Sequence, residues 1–313
     1  MKLIEKISDF PYLDEVFLTV GNFDGFHRGH QRIIDELVRH SLGRDRFVIT
    51  FKRAPLEILN PENFKGYIFP FGYKDEIFGK LSIDYLASLD FSEIKELTRD
   101  EFVNFLKQRF KKINIFIGYD FRFGKNNSGD VDFLKKMVDN VFVVEKVCHN
   151  GERISSSLIR DLISRGEIEI ANKMLGRNYF IYSTEIKGDG LGSKIGFPTI
   201  NLKINEQILP STGVYFTIYK LGEKIFPAMT YIGNRPTING KEMRNETNII
   251  GLGEDEARKL SLIKEHKIYF IKKTREEKKL HNLEELKNLL YNDREVILSL
   301  FKANGGFKDE FYY

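Results

Sequence analysis

Two patterns of apolar and polar positions divide this chain. In the first half, short apolar runs alternate with stretches whose apolar residues recur three and four apart. Val16-Phe17-Leu18-Thr19-Val20 is β-branched and aromatic, as a strand requires, and residues 31–42 carry Ile33, Ile34, Leu37 and Val38 at helical spacing, with Gly43 placed to end that helix. The alternation continues with a strand at 46–51, a Pro- and Gly-containing loop at 55–71, a helix at 74–81 and a short strand within 83–89. A helix at 93–110, a strand at 113–117, a helix at 131–138, a strand at 141–144 and a helix at 161–175 follow. Such an order predicts βαβ units, hence an α/β domain with a parallel sheet and helices on both faces.

From Tyr179 the period changes to two. Residues 179–186, 214–221, 225–232, 247–250 and 267–271 read as strands, and Leu221-Gly222-Glu223-Lys224 joins two of them as a hairpin. Consecutive strands over about 130 residues predict a small antiparallel β-barrel or sandwich. Residues 283–301, with Leu286, Leu289, Leu290, Ile297, Leu300 and Phe301, predict a closing amphipathic C-terminal helix. At 313 residues the chain exceeds a typical single core, and we expect domains at 1–177 and 178–313.

Composition narrows the partners. Lys+Arg 49 against Asp+Glu 45 leaves a net charge of only +4, too balanced to imply nucleic-acid binding. Cys148 is the only cysteine, which excludes an intrachain disulfide and suits a reducing compartment. Residues 1–11 carry Lys2, Glu5, Lys6 and Asp9 and no long apolar run, so neither a signal peptide nor a membrane segment is expected and the location expected is cytoplasmic. His40, His266 and His281 read as surface residues, and Cys148 with His149 lacks the further ligands zinc needs. Oligomeric state is not legible in the sequence.

Four loops carry the candidate chemistry. Gly21-Asn22-Phe23-Asp24-Gly25-Phe26-His27-Arg28-Gly29-His30 joins a strand to a helix. In a parallel sheet that junction lies at the strands' carboxyl ends, where glycines admit a ligand and a helix N-terminus offers free N–H groups to phosphate. His27 and His30 face one side if the helix starts near His27. Gly118-Tyr119-Asp120-Phe121-Arg122-Phe123-Gly124 follows another strand and falls on the same edge. Ser155, Ser156 and Ser157 ahead of Arg160 suit either a helix cap or a phosphate chain. In the second half, Gly188 to Gly196 holds four glycines, among them Gly190 and Gly192, with Lys194. Its backbone suits phosphates, and Thr199 and Asn201 beyond it supply hard oxygens for Mg²⁺.

Taken in order, these segments resemble one family. G-x-F-D-G-x-H-x-G-H (21–30), G-x-D-F-R-F-G (118–124), S-S-x-x-I-R (155–160), L-G-R-x-Y (175–179), G-F-P-T-x-N (196–201), G-V-Y (213–215), N-R-P-T (234–237) and R-x-E (Arg275, Glu277) match the bacterial bifunctional riboflavin kinase/FAD synthetase family. The resemblance implies a Rossmann-like nucleotidyltransferase domain that joins FMN to the AMP part of ATP, then a β-barrel kinase domain that phosphorylates riboflavin. It implies that His27 and His30 steady the triphosphate, with Gly21, Asn22, Phe23, Asp24, Gly25, Ser155 to Ser157 and Arg160 around the nucleotide. Asp120, Phe121, Arg122, Phe123 and Arg275 would border flavin, Gly190, Gly192 and Lys194 the kinase nucleotide, and Thr199 with Asn201 its Mg²⁺. Glu246 would be the kinase base. ATP, riboflavin, FMN and FAD are the implied partners, flavin being substrate and product rather than cofactor, with no nucleic acid and no membrane.

After Glu246 this chain reads Gly251-Leu252-Gly253-Glu254-Asp255-Glu256-Ala257-Arg258, where the family usually has D-F-x-G-D-L-Y-G. An FAD synthetase whose impaired kinase domain only binds flavin therefore stays open. So do a non-catalytic flavin module and a nucleotidyltransferase acting on pantetheine phosphate or nicotinamide mononucleotide, against which the H-x-G-H and G-F-P-T-x-N segments respectively argue.

Overall fold

The apolar runs of the first half hydrogen-bond side by side in a computed structural model, which describes residues 1–69, 72–184, 186–187, 196–204, 206–237, 240–252, 260, 263–279 and 282–303. By contacts the chain forms two compact units, the first mainly residues 1–65 and 71–156, the second mainly 66–70 and 157–312. In the first unit, β1 (Lys2–Ile4), β2 (Leu13–Val20), β3 (Arg46–Phe51), β4 (Tyr85–Leu89), β5 (Phe110–Gly118) and β6 (Asn140–Val144) form one sheet in the order β1-β4-β3-β2-β5-β6. Every pairing is parallel. Parallel strands are buried on both faces, which is why these runs are apolar throughout. Val16, Leu18, Phe47, Val48 and Ile115 are fully buried, each worth about 1.5–3 kcal/mol of transfer free energy.

The strand order creates the site. From β2 the chain moves outward through α1 (Arg28–Ser41) to β3, and β5 and β6 pair on the other side of β2. That reversal leaves a crevice outside the carboxyl ends of β2 and β5. Both the 21–30 and 118–124 segments begin there.

Some boundaries differ from expectation for local reasons. α1 ends with Leu42 in the left-handed conformation, at φ 47°, and Gly43 follows it there at φ 82°. The 55–71 loop contains α2 (Pro55–Leu59), with Pro55 at its first turn. α3 covers Tyr73–Lys80. The helix expected from 93 is only α4 (Arg99–Arg109), because Thr98 and Glu101 form a capping box, with Glu101 N–H donating to Thr98 Oγ1 at 3.2 Å and Thr98 N–H to Glu101 Oε2 at 2.8 Å. α5 spans Val131–Met137. A short hairpin, β7 (Cys148–His149) with β8 (Glu152–Arg153), was not foreseen.

In the second unit the expected 161–175 helix is two, α6 (Ser156–Arg165) and α7 (Ile168–Leu175). Gly166 breaks it at φ +79°, where a Cβ would stand 2.5 Å from Ser211 Oγ. Then β9 (Tyr179–Ser183), β12 (Gly213–Leu221), β13 (Lys224–Thr237), β14 (Gly240–Ile249) and β15 (His266–Arg275) form an antiparallel half-barrel sheet in the order β14-β13-β12-β15-β9. β10 (Ile186–Lys187) and β11 (Asn201–Leu202) pair separately, and α8 (Leu283–Ala303) closes the unit. Residues 233–237 are strand despite Gly233 and Pro236, because β14 pairs along all of them.

Polar groups knit this sheet. Thr217 Oγ1 donates to the Ala228 carbonyl at 3.1 Å and lies 2.8 Å from Thr230 Oγ1, itself 2.8 Å from Thr247 Oγ1. All three threonines are buried. His266, expected at the surface, is 2% exposed and its Nδ1 lies 2.7 Å from the Tyr219 hydroxyl, so burial holds its pKa below the ordinary value. Asn245 stands in for a strand: its Nδ2 donates to the Leu202 carbonyl at 2.8 Å and its Oδ1 accepts from Leu202 N–H at 2.9 Å. With the Ile200–Thr247 bridge, this lays residues 200–202 along β14. Asn245→Ala strands both Leu202 groups and should destabilise this unit by about 2 kcal/mol in urea titration.

Candidate active site

The 21–30 segment is a strained turn held from several sides. Phe23 and Phe26 take φ values of 52° and 33°, and Gly25 takes 75°. Left-handed backbone at a bulky residue costs on the order of 1–3 kcal/mol. Burial offsets it: both rings are 1% exposed and meet the Phe78 ring of α3 edge-on, with centroids 5.4 and 5.5 Å apart. Gly21 N–H donates to the Ile49 carbonyl at 3.0 Å, and Gln31 Nε2 to the Phe26 carbonyl at 2.8 Å. Ser156 Oγ donates to the Asp24 carbonyl at 2.8 Å, tying the serine run to the turn.

The turn presents the two histidines together. His27 is the N-cap of α1, its Nδ1 accepting from His30 N–H at 3.3 Å, which leaves Nε2 as the proton-bearing nitrogen of the neutral ring. The two imidazoles stack with centroids 3.7 Å apart and planes 16° from parallel. Gly29 makes this approach sterically possible, since a Cβ there would lie 3.1 Å from two atoms of the His27 ring. Both histidines line a cleft of about 240 Å³ with Gly21, Phe23, Gly118 to Phe121, Val144 to Val147 and Arg153 to Ser156. Helix N-terminus, glycine backbone and hydroxyls around one cleft form an anion-binding surface.

The other expected residues of this half separate. Asp120 and Phe121 line the cleft. Arg122 pairs with Asp130 at 3.1 Å, and Phe123 is buried against Phe102 and Phe133, so neither of these lines it. Asp24 is 2% exposed. Arg160 belongs to the second unit, buried there with its Nε donating to the Gly66 carbonyl at 2.9 Å, and Ser157 belongs to that unit too. Arg153, not singled out by any sequence pattern, pairs with Asp120 and lies 5.0 Å over the Tyr119 ring.

In the second unit, register brings candidates together. Tyr231 and Glu246 are cross-strand partners, and the Ile200–Thr247 and Leu202–Asn245 contacts put Asn201 opposite Glu246 on that same face. Asn201 Oδ1 is buried and takes no hydrogen bond. Thr199 is half-buried two residues away. The Tyr231 hydroxyl donates to Glu277, and burial, that bond and the nearby charges of Glu277 and Glu246 push its pKa well up. Arg275, expected at the flavin, holds Asp293 of α8 through Nε and Nη2 at 2.7–3.1 Å. Gly190, Gly192, Lys194, His281 and residues 253–258 lie outside the described residues. Tyr231 carried no sequence signal, because only strand pairing shows its neighbour.

Comparison with known proteins fits both halves. A family model described as FAD synthetase matches residues 10–158, and one described as riboflavin kinase matches residues 175–301. A bifunctional riboflavin kinase/FMN adenylyltransferase of Escherichia coli is 30% identical over 94% of this chain and 96% of its own. The chain belongs to the bifunctional riboflavin kinase/FMN adenylyltransferase family. A Bacillus subtilis protein of that name is 29% identical over 91% of this chain and 92% of its own. A crystal structure of a Streptococcus pneumoniae protein, titled a macrolide-efflux protein, superposes with a TM-score of 0.82 at 27% identity, covering 94% of this chain and 97% of that one. Among the described residues of this family member, no helix is long and apolar enough to cross a membrane.

The stacked histidines give a direct test. Gly29→Ala should lower FAD formation from FMN by at least about tenfold by displacing the His27 ring, while its melting temperature stays close to that of the parent chain.

Proposed function

We propose that this chain phosphorylates riboflavin to FMN with ATP and then adenylylates FMN to FAD with release of pyrophosphate, the first reaction in residues 178–313 and the second in 1–177. The observation that carries the reading is the stacked His27–His30 pair at the start of α1, at the strand-order reversal, in a chain of this family. In adenylyl transfer, a phosphate oxygen of FMN attacks the α-phosphorus of ATP, and the bond to the bridging oxygen of the β-phosphate breaks. Such reactions need positioning and charge stabilisation more than covalent help from the protein. His27 and His30 stabilise the charge that develops on the phosphates, with Gly21 to Gly25 and the hydroxyls of Ser155 and Ser156 around the nucleotide. The left-handed turn at Gly25 lets backbone come close to it.

For the kinase reaction, Glu246 accepts the proton of the terminal ribityl hydroxyl as its oxygen bonds to the γ-phosphorus, and ADP leaves. Tyr231 adjoins that carboxylate across the strand pair and donates its hydroxyl proton to Glu277. Thr199 and Asn201 would hold Mg²⁺ with the phosphate oxygens; Asn201 fits, since its buried Oδ1 is a hard acceptor without a donor. When bound, that ion neutralises phosphate charge. The substrates of this reading are those of a cytoplasmic enzyme.

The test incubates the full chain with riboflavin, ATP and Mg²⁺ and resolves the flavins by chromatography. We expect FMN, FAD and pyrophosphate. FAD from supplied FMN, with no FMN ever formed from riboflavin, would leave only the adenylyltransferase. His27→Ala and His30→Ala should each reduce FAD formation on the order of 100-fold and spare FMN formation, and Glu246→Gln should do the reverse.

A further inference from the structure

Lys74 is the only lysine buried among the described residues. It stands in the second turn-forming position of α3, within a helix whose sequence gives it the look of a solvated surface charge. Burying an ammonium is expensive unless something in the fold uses it, and a methionine would fill the same space without that cost. Its Nζ donates to two backbone carbonyls rather than to a carboxylate: Asn22 O at 3.1 Å, and Phe51 O at the carboxyl end of β3. The same Asn22 carbonyl also accepts from Thr50 Oγ1 at 3.2 Å, while the Asn22 side-chain oxygen is buried and takes no hydrogen bond.

One helix therefore grips the histidine loop at two points. Lys74 and Phe78 are four residues apart and share a helix face. Phe78 meets the rings of Phe23 and Phe26, the two bulky residues in left-handed backbone, and Lys74 holds the carbonyl just before them. A turn that stores backbone strain relaxes when its external holds are removed. The histidines begin one residue after Phe26.

We propose that Lys74 is a positioning residue for adenylyl transfer, a buried cation that fixes the Asn22 carbonyl against the end of β3, keeps the strained turn in place and sets positive charge behind the phosphate-binding backbone. The inference rests on reading the 21–30 loop as the adenylyl-transfer site. The charged groups facing Lys74 are Asp24 from the loop and Asp75 from its own helix, with Glu5 and Lys52 acting on Asp75. Burial lowers the Lys74 pKa to about 8 against the opposing pull of Asp24 and Asp75. Its charge is thus present at neutral pH and lost as pH rises through about 8. Stability moves the other way. The folded value lies below the ordinary 10.5, so between about 8 and 10.5 the unfolded chain binds the extra proton and Lys74 contributes a gain in stability as pH rises. A loss of activity over that window is then separable from a loss of fold.

The experiment follows FAD formation from FMN, ATP and Mg²⁺ by the full chain from about pH 6.5 to about 9.5, with riboflavin phosphorylation by the same samples as the internal control. We expect kcat for FAD formation to fall roughly tenfold per unit above about pH 8 without a matching drop in melting temperature. Lys74→Arg, which stays charged, should remove that falling limb, and Lys74→Met should lower kcat at neutral pH by at least about tenfold with FMN formation unchanged. A flat parent profile, a limb that persists in Lys74→Arg, or full kcat in Lys74→Met would each overturn the proposal. If Lys74→Met does not fold, the parent and Lys74→Arg profiles decide. Full activity in Lys74→Met beside a loss in His27→Ala sinks Lys74 alone, whereas full activity in both sinks the reading of the loop.

Discussion

The first unit's chemistry depends on holding a turn in backbone that its residues resist. Burial of their rings on Phe78 offsets the strain of Phe23 and Phe26 in the left-handed region, and the turn between them sets where α1 begins. The start of α1 in turn decides that His27 caps the helix and that His30 stacks on it. Glycine at 23 and 26 would take these φ angles without strain but would surrender the buried rings, and the loop would wander. The chain accepts local strain in exchange for a single loop position.

The sheet order does the rest at larger scale. Because the chain departs from β2 in one direction and β5 and β6 lie on the other side, β2 and β5 are neighbours whose loops diverge. That divergence opens the cleft between the histidine turn and the Gly118 loop. In the second unit the main sheet is antiparallel. Register does the work there, bringing Asn201, Tyr231 and Glu246 to one face from three separate segments.

Local signals were legible in the sequence and long-range ones were not. Glycine loops after apolar strands, the H-x-G-H spacing and the change of period at Tyr179 all act over a few residues, and they located the cleft, both fold types and the family. Lys74 reads as an exposed helix position because nothing nearby reports that β3 and the loop close over it. Gly233 and Pro236 are turn residues by local rule, yet pairing with β14 overrides that rule. His266 looked idle because its partner, Tyr219, is on another strand. Phe123 and Arg122 share a motif with Asp120, but only its Gly118 to Phe121 part reaches the cleft, since the chain folds back at Gly124 and Gly129 onto α4.

The threonine row across β12, β13 and β14 has a direction. Thr217 gives its proton to the Ala228 carbonyl, so it must accept from Thr230, which must accept from Thr247. A row with one sense can be built or dismantled from one end only. Losing the hydroxyl at 247 leaves an acceptor unfilled, a mild defect; losing it at 217 leaves a buried proton with nowhere to go. Among descendants of this sequence, the hydroxyl at 217 is the one that should be last to disappear, and an ancestor acquiring the row would have had to begin there.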